Sequence, residues 1–461
     1  MTALEHPARR ADGPGRPPAR VPFPVVDEVS RHCLQEQEPE TVHIEVHLPG
    51  VPDPARLRTA FHEALRRHPR ILMREAHRPW YRRRYEWELT AEADTEVVSF
   101  PPAGRDALKR ARERALAEAP PLTASPPIRL EVLPAEEPPK GAAGAGADGG
   151  SVLLLTINHT ALDGPACLRV LATAAEIYGG EDNSPAAPPV RPAESAGSAA
   201  APPPDAAAGW TPPARVSKGT PEPSPGNGML VAELPVPHRP KGSAFTVNDQ
   251  LMVATALMIA HWNREHGARP RPLRITMPVD DRPRDATMPI GNGTRLVEVP
   301  FGAAELAGRD WTPDAIRGLL CRTSERTRAL KAMARPQLGH GAALLTAPVL
   351  PVTFRAALTR GLRRAAAPWT STTLLSNIGR IPYALDFGDA GRAHAVWFSA
   401  PARLPRGLTV TTASTAGRLH LALRWSKTLL SHGDGAHLRD LFEHYLHATE
   451  HTEADGNGGP E

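Results

Sequence analysis

Residues 42–48 (Val-His-Ile-Glu-Val-His-Leu) alternate apolar and polar positions with period two, the pattern of a half-buried strand. His43, Glu45 and His47 fall on its polar face and read as surface residues, because no third ligand stands nearby to complete a metal site. Asp53-Pro54 then marks a helix start, with Asp as cap and Pro in the first turn. Leu57, Phe61 and Leu65 recur at i, i+4 and i+8 as one apolar stripe. Pro69 ends that helix at His68, since the residue before a proline is pushed out of helical geometry. A second helix is predicted over 105–118. Residues 128–133 alternate again and 152–157 form a continuous apolar run, so the two read as an antiparallel hairpin. The Gly/Ala-rich stretch 140–150 between them cannot pack a core and reads as a loose loop. The far end of the hairpin carries Asn158-His159-Thr160-Ala161-Leu162-Asp163-Gly164, and the apolar residues 167–171 behind it start a helix.

The second half shows the same kinds of pattern. Thr246–Gln250 opens a buried helix that ends near Gly267, and 273–277 reads as a strand leading into Val279–Arg284. Ile290–Thr294 precedes a strand over 295–299, and a long helix is predicted over 313–334. Residues 372–375 form a short strand running into the turn Ser376-Asn377-Ile378-Gly379. Strands 407–413 and 418–425 make a hairpin turning at Ala416-Gly417, and a last helix covers about 435–449. From 184 to 228 the composition shifts to Ala, Pro, Gly and Ser, the signature of an unstructured linker in which Trp210 is the one large apolar residue. The predicted organisation is a disordered tail 1–20, a first unit 21–183, a linker 184–228, a second unit 229–450 and a tail 451–461.

Composition narrows the function classes. The chain has 461 residues, 41% hydrophobic and 23% charged, enough for two domains with sizeable cores. A net charge of +4 is too small to predict nucleic-acid binding. One local cluster stands out, Arg78 and Arg82–Arg84 around Trp80, Tyr81 and Tyr85. It reads either as a solvated strand edge or as a docking patch for an anionic donor or an acidic carrier protein. Three scattered cysteines form neither a disulfide framework nor a metal site, which fits a reducing cytoplasm. Residues 1–20 lack an apolar core, so no secretory signal is expected, and no run of 18 apolar residues exists to span a membrane.

His159 is the candidate chemical residue. It sits at the end of a strand with Asp163 and Gly164 in the turn behind it. An imidazole near its ordinary pKa can take a proton from an amine or hydroxyl at neutral pH, and glycine permits the sharp turn. Read alone, His159 is equally a core histidine bonded to backbone. No G-x-S-x-G elbow, no G-x-G-x-x-G after a strand, no P-loop lysine and no H-E-x-x-H is present.

The segment Asn158–Gly164 resembles the H-H-x-x-x-D-G signature of condensation domains of non-ribosomal peptide synthetases and related chloramphenicol-acetyltransferase-like acyltransferases, with Asn158 in place of the first histidine. Val279–Arg284 with Ile290–Thr294, Thr246–Gln250, Ser376–Gly379 and the strand, helix and Arg67-His68-Pro69 of the opening are similar to further motifs of that family, in order, over roughly 21–450. The resemblance implies an α+β fold of two chloramphenicol-acetyltransferase-like subdomains forming a pseudo-dimer, with the active site in a tunnel between them. It makes His159 the catalytic residue and Asp163 structural, paired with an arginine of the other half. Arg282 is the candidate, able to hold Asp163 bidentately. Asn158 would supply the hydrogen bond otherwise given by histidine. The backbone near Gly164, the Ser376 hydroxyl and the Asn377 amide are candidates to hold the oxyanion. The implied activity is acyl transfer from an acyl-CoA or phosphopantetheinyl thioester to an amine or hydroxyl in specialised metabolism, with no bound cofactor or metal. A carrier protein is a possible partner. The alternative is a degenerate, non-catalytic relative that binds a carrier or pathway partner.

Overall fold

The computed structural model describes residues 19–77, 81–135, 150–185, 211–308, 311–333, 338 and 341–450. Strands β1 (Arg20–Pro22), β3 (Met73–Glu75) and β4 (Glu86–Leu89) make a small sheet in the order β1-β4-β3. In the first half, β2 (Thr41–Leu48) pairs antiparallel with β7 (Ser151–Asn158), and β7 with β6 (Ile128–Pro134). The short β5 (Val98–Ser99) runs parallel to β6 at one edge. Helices α2 (Pro54–Arg67) and α4 (Gly164–Gly179) pack on each other over this sheet, and α3 (Ala107–Ala117) lies against β2, β6 and β7. The expected cap is present: the Asp53 carboxylate accepts from the Arg56 N–H at the start of α2.

In the second half, β8 (Asn227–Pro235), β9 (Leu273–Val279), β10 (Arg295–Phe301), β11 (Thr373–Arg380), β13 (Leu408–Thr415) and β14 (Arg418–Ser426) form one sheet, ordered β10-β9-β11-β13-β14-β8. Helices α5 (Val247–Glu265), α6 (Pro313–Ala332) and α9 (His432–Ala448) cover it. Thr246 and Asp249 exchange both bonds of a capping box, which fixes the start of α5. The β13–β14 hairpin turns at Ala416 and Gly417, both at positive φ (49° and 77°), as a two-residue loop of right-handed strands requires. The remaining helices, α1 (Val25–His32), the short α7 (Ala342–Leu345) and α8 (Val352–Ala366), pack together.

Several expectations are corrected. The two halves are not divided at one boundary in the chain. Strand β12 (Ala395–Ser399) leaves the second half and pairs with β2, completing the first sheet. Leu385, Phe387 and Val396 are buried in the first half's core. The linker ends earlier than residue 228. Residues 211–228 lie on the second half, with Ala214 and Val216 buried, and Trp262 Nε1 donates to the Ser217 carbonyl at 2.9 Å. Residues 186–210, including Trp210, lie outside the described residues. So do the tails 1–18 and 451–461, nearly all of the 140–150 loop, and Arg78 and Trp80 of the basic cluster.

His43 and Glu45 are fully buried rather than on the surface, and His47 is half-buried. The reason is α3, which covers the polar face of β2 and brings a half-buried counter-charge. Arg112 grips Glu45 with Nε at 2.8 Å and Nη2 at 2.5 Å. That clamp and the histidine bonds hold the Glu45 carboxyl well below its usual range although burial opposes it. Finally, Ser376–Gly379 is not a turn after a strand. It lies within β11, which is bulged between Asn377 and Gly379.

Candidate active site

Strand β7 is buried along its whole length, and its rigidity carries through to the residue after it. His159 donates its N–H to the Glu40 carbonyl at 2.8 Å. Its ring Nδ1 lies 2.9 Å from the Leu162 carbonyl. A carbonyl can only accept, so Nδ1 carries the hydrogen and Nε2 is left as the nitrogen able to take a proton. The residue is half-buried and lines a cavity of about 290 Å³. That cavity lies between the halves: Val42, Gly164 and Leu168 face it from one side, Leu296, Leu374 and Ser376 from the other.

Asp163 holds the turn and joins the halves. Its Oδ1 accepts from Ala166 N–H at 3.0 Å, capping α4. Its Oδ2 accepts from Arg282 Nη2 at 2.7 Å and from Gly293 N–H at 2.8 Å. The expected pair is therefore present but through one nitrogen. Arg282 gives its two-nitrogen grip to Asp280 instead, Nε at 2.8 Å and Nη2 at 3.0 Å, because both residues lie on the same loop. Burial would lower the Arg282 pKa, but the Asp280 bond and the two carboxylate charges outweigh it and hold the guanidinium above its ordinary value. Gly293 must be glycine for this packing, since a Cβ there would lie 2.3 Å from Arg282 Nε. Gly164 is similarly pressed, its Cβ position 3.2 Å from the Phe398 ring.

Asn158 does not reach the cavity. Its Nδ2 donates to the Pro120 carbonyl at 2.9 Å and its Oδ1 accepts from the Thr160 N–H at 3.1 Å. It braces the turn from behind rather than supplying a hydrogen bond to a ligand. The Asn377 side chain is also occupied: Oδ1 takes the Gly379 N–H at 2.9 Å and the Thr412 hydroxyl at 3.2 Å, and Nδ2 donates to Asn248 at 3.3 Å. It pins the β11 bulge. Of the two expected side-chain oxyanion donors, the Ser376 hydroxyl is the one that lines the cavity with no hydrogen-bond partner among the described residues, and Gly164 also lines it.

Two further residues support the histidine turn. Asn292 Nδ2 donates to the His159 and Thr160 carbonyls, both at 3.1 Å, and to Asp27 Oδ1 at 2.9 Å. Asp27 on α1 is buried and also accepts from Trp87 Nε1 at 2.9 Å. Burial pushes its carboxyl up to about 6, against the opposing pull of those hydrogen bonds and of the Arg70 and His159 charges. The Gly-Asn-Gly run around Asn292 read only as strand geometry, and nothing local marks Asp27, 132 positions upstream of His159. Of the basic cluster, Arg82 pairs with Glu75 and stacks over Tyr85, while Arg83 and Arg84 are exposed. No group of three metal-ligating side chains occurs among the described residues, and none of their helices is long and apolar enough to cross a membrane.

No family model matches the chain. An uncharacterized protein of Mycobacterium tuberculosis is 28% identical over 389 residues, 79% of this chain and 84% of its own. Among solved structures, the TRI3 trichothecene 15-O-acetyltransferase of Fusarium sporotrichioides is similar with a TM-score of 0.60 at 13% identity, over 93% of this chain and 95% of that one. The first condensation domain of the calcium-dependent antibiotic synthetase, with a substrate analogue, gives 0.59 at 14% identity over 95% and 98%. The epimerization domain of the third module of tyrocidine synthetase B gives 0.57 at 13% over 96% and 100%. The chain thus has the condensation-domain, chloramphenicol-acetyltransferase-like fold of two subdomains.

Proposed function

We propose that the protein is an acyltransferase of the condensation type, moving an acyl group from a coenzyme A or carrier-protein thioester to an amine or hydroxyl acceptor. The observation that carries this reading is His159: its Nδ1 is fixed by the Leu162 carbonyl, and the residue lines a cavity between the halves. In the proposed reaction Nε2 takes the acceptor's proton as its oxygen or nitrogen attacks the thioester carbonyl. The tetrahedral oxyanion collapses, the C–S bond breaks, and the imidazolium returns the proton to the departing thiolate. The Ser376 hydroxyl is the side-chain donor available to the oxyanion. Positioning two substrates in one cavity lowers the barrier, and a base within reach adds about 10²–10⁴-fold.

A carrier protein as donor is supported by the outer face of α8, where Phe354, Leu358 and Leu362 are exposed beside the exposed Arg360 and Arg364. Apolar contact ringed by cations suits a partly acidic partner. The non-catalytic alternative rested on Asn158, which is bonded to backbone behind the turn and leaves His159 unaltered.

The test is incubation of the purified protein with thioester donors and candidate acceptors, read by mass spectrometry. An acylated product that disappears in His159→Ala, with the melting temperature unchanged, supports the proposal. Equal product from both proteins would remove His159 from the mechanism.

A further inference from the structure

One part of the cavity carries more positive charge than its own side chains neutralise. Arg363 on α8 and Arg403 and Arg406, in the loop between β12 and β13, all line it. Their charges act on one another: Arg363 depresses the pKa of both Arg403 and Arg406, after burial, which is the larger cause in each. Arg403 is paired with the Glu40 carboxylate and donates to the Cys33 carbonyl at 2.9 Å. Arg406 is half-buried at the cavity wall, yet its partners are the neutral hydroxyls of Ser371, 3.2 Å from Nε, and Thr276, 3.5 Å from Nη2. Among the described residues no carboxylate lies within 4.0 Å of Arg406 or Arg363. Below them Arg424 is buried against Thr41 and Asn227, with Glu38 and Glu40 as the nearest acidic charges. Four guanidiniums thus share two carboxylates, and Arg406 feels Glu298 only from a distance.

A desolvated cation whose partners are hydroxyls is poorly compensated, because neutral hydrogen bonds do not replace a counter-charge. Where such a cation faces a cavity, the missing charge is one that a ligand can bring. We infer that Arg363, Arg403 and Arg406 form an oxyanion subsite that receives a carboxylate or phosphate of a ligand bound in this cavity. Glu40 places it next to the histidine turn, since its carbonyl accepts from the His159 N–H and its carboxylate pairs with Arg403. The ligand's anionic group would anchor there and leave its reacting end to His159. This rests on the reading that the cavity holds the acyl-transfer substrates. A carboxylate would come from a free amino- or hydroxy-acid acceptor, a phosphate from the coenzyme A or phosphopantetheine of the donor.

The experiment is calorimetric binding to the full-length protein, without turnover. The probes are inorganic phosphate, coenzyme A against uncharged pantetheine, and hexanoate against hexanamide. Arg363→Gln is the clean variant, since that half-buried side chain has no ion pair among the described residues and its loss strands nothing. Arg406→Gln is the second. Binding of a charged probe in preference to its uncharged counterpart, weakened about tenfold or more in either variant, is the expected result. Preference for coenzyme A assigns the subsite to the donor phosphate, and preference for hexanoate assigns it to an acceptor carboxylate. Charged and uncharged probes binding alike, no probe binding at all, or a preference untouched by both variants would overturn the inference. Charge-dependent binding without acyl transfer would defeat the proposed function and leave the subsite standing. Acyl transfer without charge-dependent binding would do the reverse.

Discussion

Replacing Asp163 by alanine separates a structural role from a chemical one. Asp163 is 1% exposed, and its carboxylate receives three donors, from Ala166, Arg282 and Gly293. Losing the cap on α4 costs about 1 kcal/mol, and breaking a buried ion pair costs about 3–5 kcal/mol. The two are not independent, since one group makes both. Arg282 keeps its grip on Asp280, so it is not left without a counter-charge. The expected loss is about 4 kcal/mol, which in a chain of 461 residues lowers the melting temperature by about 4 °C. Arg282→Ala should cost at least as much, because it leaves the Asp163 and Asp280 carboxylates without their shared cation. The double variant should cost less than the sum of the single ones, as expected of residues in contact. The assay is calorimetric melting of the three variants beside the acyl-transfer rate at 20 °C. An Asp163→Ala protein with an unchanged melting temperature and no activity would refute the structural assignment and give the carboxylate a part in the chemistry.

Gly293→Ala should lower stability by about 1–3 kcal/mol, since its Cβ would displace an Arg282 side chain held by several bonds; a melting curve matching the parent's would count against that packing. Ala416→Gly should raise stability by about 1 kcal/mol, because alanine at φ 49° bears a steric cost that glycine lacks, and chemical denaturation reads the change directly. Burial lowers the pKa of both His68 and His420 to about 4, so each is neutral when folded and protonates near 6.5 when unfolded. Their contribution to stability is complete above pH 6.5 and is lost as pH falls towards 4, so unfolding should take up protons across that window and His420→Leu should flatten the acid limb of the melting-temperature profile.

Much of the fold was legible because its elements are locally periodic. The hairpins 128–133 with 152–157 and 407–413 with 418–425 have a regular apolar pattern and close at loops or glycine turns, and both are present with the expected pairing. What the pattern hid are elements whose partners are distant. Strand β12 is buried on both faces, so Ala-Val-Trp-Phe-Ser shows no alternation, and nothing local says that it joins the other half's sheet. On α8 the helical stripe Phe354, Leu358, Leu362 points to solvent, 65%, 51% and 47% exposed, while Arg355 on the inner side is buried against Glu28. On β2 the pattern is inverted at His43 and Glu45, since a period-two polar face became largely interior once α3 brought Arg112 to Glu45.

The same logic explains which parts of the site were legible. His159, Asp163 and Gly164 are neighbours in the chain, and the strand-turn-helix that holds them has a local pattern. Ser376 and His159 line one cavity only because β11 runs beside β13 in the second sheet while β12 crosses to the first, bringing both sheets to it. Asn292 and Asp27 act through the carbonyls of residues 159 and 160, contacts that leave no mark on residue type. The arginines near Glu40 were the least visible, because isolated arginines in a chain with 54 basic residues carry no signal until folding collects them. Collected, they mean more than the contiguous cluster at 82–84, whose Arg82 already has a carboxylate partner and whose Arg83 and Arg84 face water. A charge that water screens makes little demand on a ligand, whereas one half-buried in a cavity wall with only hydroxyls for company makes a larger one.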